Sequence, residues 1–452
     1  MWLKRAMKTS GACKSESLIF IFLVNIKKNL WFLNLLIILV KMDKKPELLA
    51  PAGSFSKAKL AFQYGADAIY CGTGMLSLRS RADVNDEDLK RTIEYAHSIG
   101  KKVYTTINIY APDSVYNDIE KQVKMLRDIH VDAIIASDGG VIDLIRNIAP
   151  EIPIHISTQA NSLSAHSANF WYKNGAKRII LSREMNKEDI KYLIKNIPDD
   201  LETEMFIHGA ICWAYSGRCY LSDYMTGRNA NIGDCAQSCR WAYNMYIEEA
   251  HNPGNIMPVE EDKNGTYILS SKDLCLIKEI PEICEMGITS LKIEGRLKSE
   301  YYVASIVNAY RNAIDDYYND KEHYDYTKYL REIDKVRTRE LTTFFFNDKN
   351  NRDFQDFSAK QYNQEYEYGG IVQEYHQDKS IVKIGNKLLV GDKFEIVVPH
   401  KIEPVEFVCD KLWDSETDEE IDHVNPGVLG QTVKMHLPIE CKEGYIIRKR
   451  KQ

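Results

Sequence analysis

Cys212, Cys219, Cys235 and Cys239 fall within one stretch, EMFIHGAICWAYSGRCYLSDYMTGRNANIGDCAQSCR from Glu204 to Arg240, and Cys275 follows in SSKDLC. Thiols packed this densely have no physical use in a helix or strand interior. Thiolate sulfur, however, is a good ligand for iron–sulfur clusters and for zinc. Six residues separate the first and second cysteines and fifteen the second and third. That spacing is neither the paired C-x2-C of a zinc ribbon nor the tight run of a ferredoxin. Five thiols compete for four places. The residues favour Cys212, Cys219, Cys235 and Cys275, with Cys239, one helical turn beyond Cys235, as the alternative fourth. After Leu221 the stretch is rich in Gly, Ser, Asn and Asp, which predicts a loop bent around something.

Other catalytic templates are missing. The chain has no HExxH, no GxSxG nucleophile elbow and no Walker-type phosphate loop. Gly72-Thr-Gly74 lacks the third glycine of a dinucleotide fingerprint and reads as a turn.

Something must hold the cysteine stretch, and the flanking pattern says what. Short apolar runs at Glu47–Pro51, Ala68–Cys71, Lys102–Asn108, Ala133–Ser137, Ile154–Thr158, Arg178–Ser182, Glu202–His208 and Ser290–Glu294 alternate with helical patterns such as Asn85–Ile99, Ser114–Ile129, Val141–Ile148 and Lys187–Asn196. Nearly continuous apolar strands alternating with helices predict a parallel sheet. Eight of them fit an α/β fold of the TIM type, a (β/α)8-like barrel, with an open doubly wound sheet as the alternative. In such barrels the chemistry sits where the strands end. There the sequence places Asn108, Gln159, Arg183, Glu184, His208, Glu294 and Arg296, and the cysteine stretch begins directly after the seventh strand.

The predicted domains are a barrel over residues 42–320 with a Cys-rich insertion at 210–275, a linker over 321–365, and a C-terminal all-β barrel domain over 366–452. Within the insertion, Trp241–Glu249 and Tyr267–Ser271 read as a hairpin with a polar tip at Asn252–Gly265. Helices are expected at Lys272–Met286 and Ser299–Tyr318. Residues 1–41 do not match the rest: two apolar runs, Leu18–Ile26 and Leu30–Val40, are each too short to span a bilayer and flank Lys27 and Lys28. Translation is expected to start at Met42, with 1–41 a mis-called extension and no membrane association; a membrane anchor is the rival reading. The extension carries seven basic residues against Glu16, so without it the formal charge falls from -6 to -12. Such an acidic chain is no non-specific nucleic-acid binder, and any RNA contact needs a local basic patch. Ten cysteines without an export signal imply metal ligation or catalysis in a reducing, cytoplasmic compartment.

The run EMFIHGAICWAYSGRCYLS, together with ELLAPAG, LRSRAD, ISTQ, GDCAQSCRW and SSKDLCLI…GITSLKIEGRLKS, closely resembles peptidase family U32 from Glu47 to Tyr310. RADVND departs from the family's more aromatic form. The resemblance implies either a collagenase-like peptidase or a member of the oxygen-independent hydroxylation systems acting on tRNA, ribosomal RNA or ubiquinone. Those systems carry a 4Fe–4S cluster on four cysteines, matched in position by Cys212, Cys219, Cys235 and Cys275, and the RNA-modifying ones use prephenate. GRCYLSDYMTGRNANIGDCAQSCRW is most similar to the branch that hydroxylates carbon five of the tRNA wobble uridine. On that reading tRNA and a small dicarboxylate are the partners, with a paired homologous subunit as a further expectation. Arg79, Arg81, Arg183 and Arg296 are candidates to hold the dicarboxylate, because a guanidinium fork matches carboxylate geometry. Asn108 and Gln159 join them as binding residues. Glu204, His208 and Glu294 are candidate proton carriers, and Arg240 and Trp241 candidate nucleotide contacts. The alternatives are a U32-type peptidase and a subunit that lends its cluster to a partner.

Overall fold

The computed structural model describes residues 44–73, 76–77, 83–212, 214–215, 218–241, 246–248, 254, 256–258, 271–336, 339–347, 365–427 and 430–451. Residues 1–43, with both apolar runs, lie outside this set, as do Arg79 and Arg81. Among the described residues no helix is long and apolar enough to cross a membrane.

Seven strands of the barrel wall come first: β1 (Glu47–Pro51), β2 (Ala68–Thr73), β3 (Lys102–Ile107), β4 (Ala133–Ala136), β5 (Ile154–Ile156), β6 (Ala176–Ile180) and β7 (Glu202–Ala210), with a two-residue strand, Asp83–Val84, beside the end of β2. A short strand β8 (Asp273–Cys275) precedes β9 (Ser290–Ile293). β1 to β7 pair in parallel in chain order, and β9 closes the ring: Leu291 pairs with Met205 on one side and with Leu48 on the other. Closure makes this a (β/α)8 barrel and excludes the open sheet. β4 and β5 are buried throughout, as expected for strands covered on both faces.

The helices are α1 (Phe55–Gln63), α2 (Asp86–Ser98), α3 (Tyr116–Asp128), α4 (Gly139–Ile148), α5 (Ala165–Lys173), α6 (Lys187–Lys195), α7 (Leu221–Thr226), α8 (Ile280–Glu285), α9 (Glu300–Asn319) and α10 (Thr327–Asp334). Ser54, Asn85, Asp138, Ser164, Asn186 and Ser299 cap α1, α2, α4, α5, α6 and α9 by accepting backbone N–H groups. Each cap stabilises its helix by about 0.5–2 kcal/mol. Each also ends a turn that leaves the C-terminal rim of the barrel, so local stability and the shape of the mouth have one origin.

Two expectations within the insertion need correction. Lys272–Met286 is not one helix: β8 pairs antiparallel with the overhanging end of β7, Cys275 opposite His208 and Asp273 opposite Ala210, and only Ile280–Glu285 is helical. The hairpin's first strand, Tyr246–Glu248, lies within the expected Trp241–Glu249, but it pairs with Ile256–Pro258 in the stretch expected to be the tip; residues 267–270 lie outside the described residues.

The C-terminal domain contains β10 (Tyr366–Glu374), β11 (Ser380–Ile384), β12 (Lys393–Val397), β13 (Val405–Val408), β14 (Leu412–Asp414), β15 (Thr432–Met435) and β16 (Ile446–Arg450). They form an antiparallel sheet in the order β13-β12-β16-β10-β11-β15-β14, continued by Glu420–Ile421. The sheet curls over its own core, which includes Val372, Phe394, Ile396, Leu412 and Val433. Among the described residues no ladder joins its two edges, so the expected closed barrel is a curled sheet. It docks on the side of the (β/α)8 barrel. The Tyr64 hydroxyl donates to the Val397 carbonyl at 2.9 Å and accepts from the Ile446 amide at 3.0 Å. Arg448, fully buried, pairs with Glu395 and with Glu332 of α10.

Candidate active site at the barrel mouth

The barrel interior is layered by charge. In the layer near the strand N-termini, Arg178 reaches Glu47 (2.7 Å), Glu202 (2.7 Å) and Glu204 (3.1 Å), and Lys292 donates to Glu204 at 2.8 Å. Burial pushes the Glu47 carboxyl up, but Arg178 and hydrogen bonds from Tyr104 and Ser290 outweigh it and hold the group below its usual range. Burial pulls the Lys292 ammonium down, partly offset by Glu204, and the charge also rests 4.2 Å from the Tyr70 ring centroid. Glu204 is completely buried with both oxygens engaged by cations. It stands in the stabilising layer of the barrel, away from the strand ends, and not where a proton carrier would meet substrate.

At the opposite, C-terminal end the polar groups face the mouth. Arg296 donates to Ser77 (3.2 Å) and Thr106 (3.3 Å) on the β2–β3 side. Across the ring, Arg183 donates to the Ala210 carbonyl (3.1 Å), pairs with Glu294 at 3.3 Å and lies 3.9 Å over the Phe206 ring. The Asn108 carbonyl accepts from Ser137, and Gln159 accepts from Ser157 through its side-chain oxygen. Among the described residues the buried Gln159 Nε2, Ser162 Oγ, Thr73 Oγ1 and Arg183 Nε have no hydrogen-bond partner. Buried polar atoms normally find one, so unmatched groups gathered at a barrel mouth point to a ligand rich in oxygen. Glu294 takes its position from Gly209: at φ +107° the backbone there is left-handed, and a β-carbon would collide with the Glu294 carbonyl oxygen.

His208 ends up elsewhere. Its ring packs on Tyr302 and Tyr310 of α9, with Nδ1 3.3 Å from the Tyr310 hydroxyl. Burial is the main cause that lowers its pKa to about 4, Asp273 opposing and Lys298 assisting. The imidazole is therefore neutral at physiological pH and faces a helix, contrary to its expected role as the best-poised proton carrier.

The cysteine stretch lies over the mouth as a tied cap. Arg218 donates to the Tyr110 hydroxyl at 2.8 Å and to the Gln159 carbonyl at 3.3 Å, and the Tyr110 amide donates to the Asn231 carbonyl at 3.3 Å. Sequence reasoning passed over Arg218 and Tyr110. Arg218 stands inside the GRC of the quoted run, but nothing local reveals a partner 108 positions away. Arg240 is committed internally, to Ile211, Ser271 and Asp273, and so is not the open nucleotide contact expected. Trp241 beside it is 42% exposed.

The five thiols fall into two settings. Burial pushes the Cys239 thiol up to about 11; Arg240 pulls it down, and Cys212, Cys235 and Cys219 push it up, which sets those four within one electrostatic neighbourhood. The Leu221 amide donates to Cys219 Sγ at 3.3 Å and the Gln237 amide to Cys235 Sγ at 3.4 Å. Cys275 is instead fixed in β8, its thiol 3.7 Å from the Tyr310 hydroxyl, pushed up to about 11 by burial. The strand register places it opposite His208, in a strand tied to the loop by the Arg240–Asp273 ion pair. An all-thiol set that receives backbone N–H···S bonds suits an iron–sulfur cluster, whose properties those bonds tune. No three potential ligands stand at single-ion spacing among the described residues.

Comparison with protein families matches residues 53–356 to peptidase family U32. The chain belongs to peptidase family U32. Residues 364–448 match the peptidase family U32 C-terminal domain, so the curled sheet is shared family architecture. The chain is 39% identical over 382 residues to tRNA hydroxylation protein P1 of Bacillus subtilis, covering 84% of this chain and 89% of that one. It is 36% identical to tRNA hydroxylation protein P of Escherichia coli, covering 89% and 96%. With 23S rRNA 5-hydroxycytidine C2501 synthase of Escherichia coli it shares 35% identity over 60% of this chain and 39% of that protein.

Proposed function

We propose that this chain is an RNA-modifying enzyme of the U32 family. In this reading it hydroxylates carbon five of the tRNA wobble uridine without molecular oxygen, with prephenate as co-substrate and a 4Fe–4S cluster on Cys212, Cys219, Cys235 and Cys239. The observation that carries the reading is the tied cap. Four thiols share one loop, and that loop is fastened through Arg218 to Tyr110 and Gln159 above a ring of unmatched polar groups. The similarity to tRNA hydroxylation proteins over most of both chains supports tRNA as the substrate class.

When bound, the cluster supplies electrons or a Lewis-acidic iron to the oxygen donor. The protein's own groups bind and orient. Arg183 and Arg296, on facing walls of the mouth, present guanidinium groups to carboxylates. Gln159 Nε2 and Ser162 Oγ offer hydrogen bonds to the remaining oxygens. Glu294, held by Arg183 at 3.3 Å, is the candidate proton carrier that stands at the mouth.

A peptidase would need an activated nucleophile. Among the described residues Cys275, linked through Tyr310 to His208, is buried with a raised thiol pKa, the opposite of activation. The test is nucleoside mass spectrometry of total tRNA from cells with and without the chain. Nucleosides derived from 5-hydroxyuridine should vanish on deletion and return on re-expression. Unchanged nucleosides accompanied by loss of a peptide-cleaving activity would replace this reading with the peptidase.

A further inference from the structure

Half of the large apolar or aromatic side chains that stand exposed among the described residues come from the stretch 215–241: Tyr215, Tyr220, Tyr224, Met225, Ile232 and Trp241. The most exposed are Tyr224, at 86%, and Tyr220, at 75%. Tyr220 is the residue that opens α7 and Tyr224 follows one turn later, its amide donating to the Tyr220 carbonyl at 2.9 Å. Residues four apart on a helix place their side chains on one face, about 5–6 Å apart. Tyr215, also half exposed, stands near the barrel mouth: after burial, the charge of Glu184, directly following Arg183, is what raises its hydroxyl pKa.

Exposed aromatic rings in such number are costly unless something covers them. The composition indicates what does. Three of the six side chains are tyrosines and one is tryptophan, each a flat ring on which a base can stack. The charged residues of 212–241 are Arg218, Arg228 and Arg240 against Asp223 and Asp234, with Arg228 paired to Asp234 and Arg240 to Asp273, so the segment carries no excess of negative charge that would repel a polyanion. Exposed rings on a loop over the mouth of an RNA-modifying site are an arrangement on which unpaired bases stack without regard to sequence.

We propose that Tyr220 and Tyr224, with Tyr215 nearer the mouth, form a stacking platform for the splayed bases of an RNA loop, delivering one of them to the mouth beneath the cap. The inference rests on the RNA-modifying reading above and adds the residues that recognise the loop.

Fluorescence anisotropy of the full chain with an end-labelled RNA hairpin bearing a seven-nucleotide loop tests it. A comparison RNA of the same sequence is fully paired by a complementary strand. Stacking of this kind is worth about 5- to 150-fold in affinity per base. Tyr224→Ala and Tyr220→Ala should each weaken hairpin binding by at least about 5-fold, while Tyr224→Phe, which keeps the ring, stays within about 2-fold. Tyr192→Ala, an exposed tyrosine on α6, should change nothing. Both platform residues are solvent-exposed, so their truncation leaves the core intact; an unchanged thermal midpoint checks this. Hairpin affinity unaltered in both alanine variants overturns the platform and leaves the RNA reading standing. Equal losses on the paired RNA also overturn it, because stacking requires unpaired bases. A change in oligomeric state with RNA affinity unchanged would make the face a protein interface instead. Failure of the unaltered chain to bind the hairpin at all overturns both the platform and the RNA reading.

Discussion

Replacing Glu204 by glutamine separates a structural role from a chemical one. Its two oxygens accept from Arg178 and Lys292 in a fully buried site. Arg178 retains Glu47 and Glu202 after the change, so the loss falls mainly on Lys292, whose ion-pair partner is removed while the glutamine carbonyl keeps one hydrogen bond. Removing one partner of a buried pair typically costs about 3–5 kcal/mol, and the retained bond places this case near about 3. At about 2–4 °C per kcal/mol for a domain this large, the thermal midpoint should fall by about 6–12 °C at pH 7. The pH dependence follows from the sign. Lys292 already has a folded pKa below the ordinary 10.5, and loss of Glu204 lowers it further. A depressed lysine costs stability at neutral pH, and that cost fades as pH rises toward the unfolded value. The deficit of Glu204→Gln relative to the unaltered protein should therefore narrow between pH 7 and pH 9.5. Pairing Glu204→Leu with Lys292→Met should recover most of the loss, since it leaves no unpaired charge. Calorimetry at the two pH values decides the matter. A variant that melts within about 1 °C of the unaltered protein yet makes no 5-hydroxyuridine would refute the structural assignment and return Glu204 to the chemistry.

Anaerobically purified protein should be brown with about four irons per chain. Alanine at Cys212, Cys219, Cys235 or Cys239 should bleach it, whereas alanine at Cys71, Cys275, Cys409 or Cys441 should not; stoichiometric zinc without visible absorbance would count against the cluster. Tyr64→Phe leaves the Val397 carbonyl and the Ile446 amide without their shared partner, and urea titration should register a loss of about 1–3 kcal/mol.

The barrel was legible because its strands are short apolar runs punctuated by Ser, Asn and Asp caps, signals that act within a few residues. Lys272–Met286 was misread because Leu274, Ile277, Ile280 and Ile283 recur at helical spacing. Pairing of Asp273–Cys275 with the end of β7 overrides that periodicity, and Pro281 fits the first turn of the shorter helix. The same register gives Cys275 surroundings that SSKDLC does not reveal: β8 sets its thiol against Tyr310. Glu204 and His208 looked chemical because a charged and a titratable residue interrupt an apolar strand. Their partners Arg178, Lys292 and Tyr310 lie 26, 88 and 102 positions away, beyond any local pattern. Arg183, Glu294 and Arg296 were legible as strand-end residues, and the barrel carries all three to the mouth.

The most direct test of the account is nucleoside mass spectrometry of tRNA from a deletion strain carrying, in turn, the unaltered chain, Cys239→Ser and Cys275→Ser. The unaltered chain and Cys275→Ser should restore 5-hydroxyuridine, and Cys239→Ser should not. Full restoration by Cys239→Ser, or none by the unaltered chain, would contradict it.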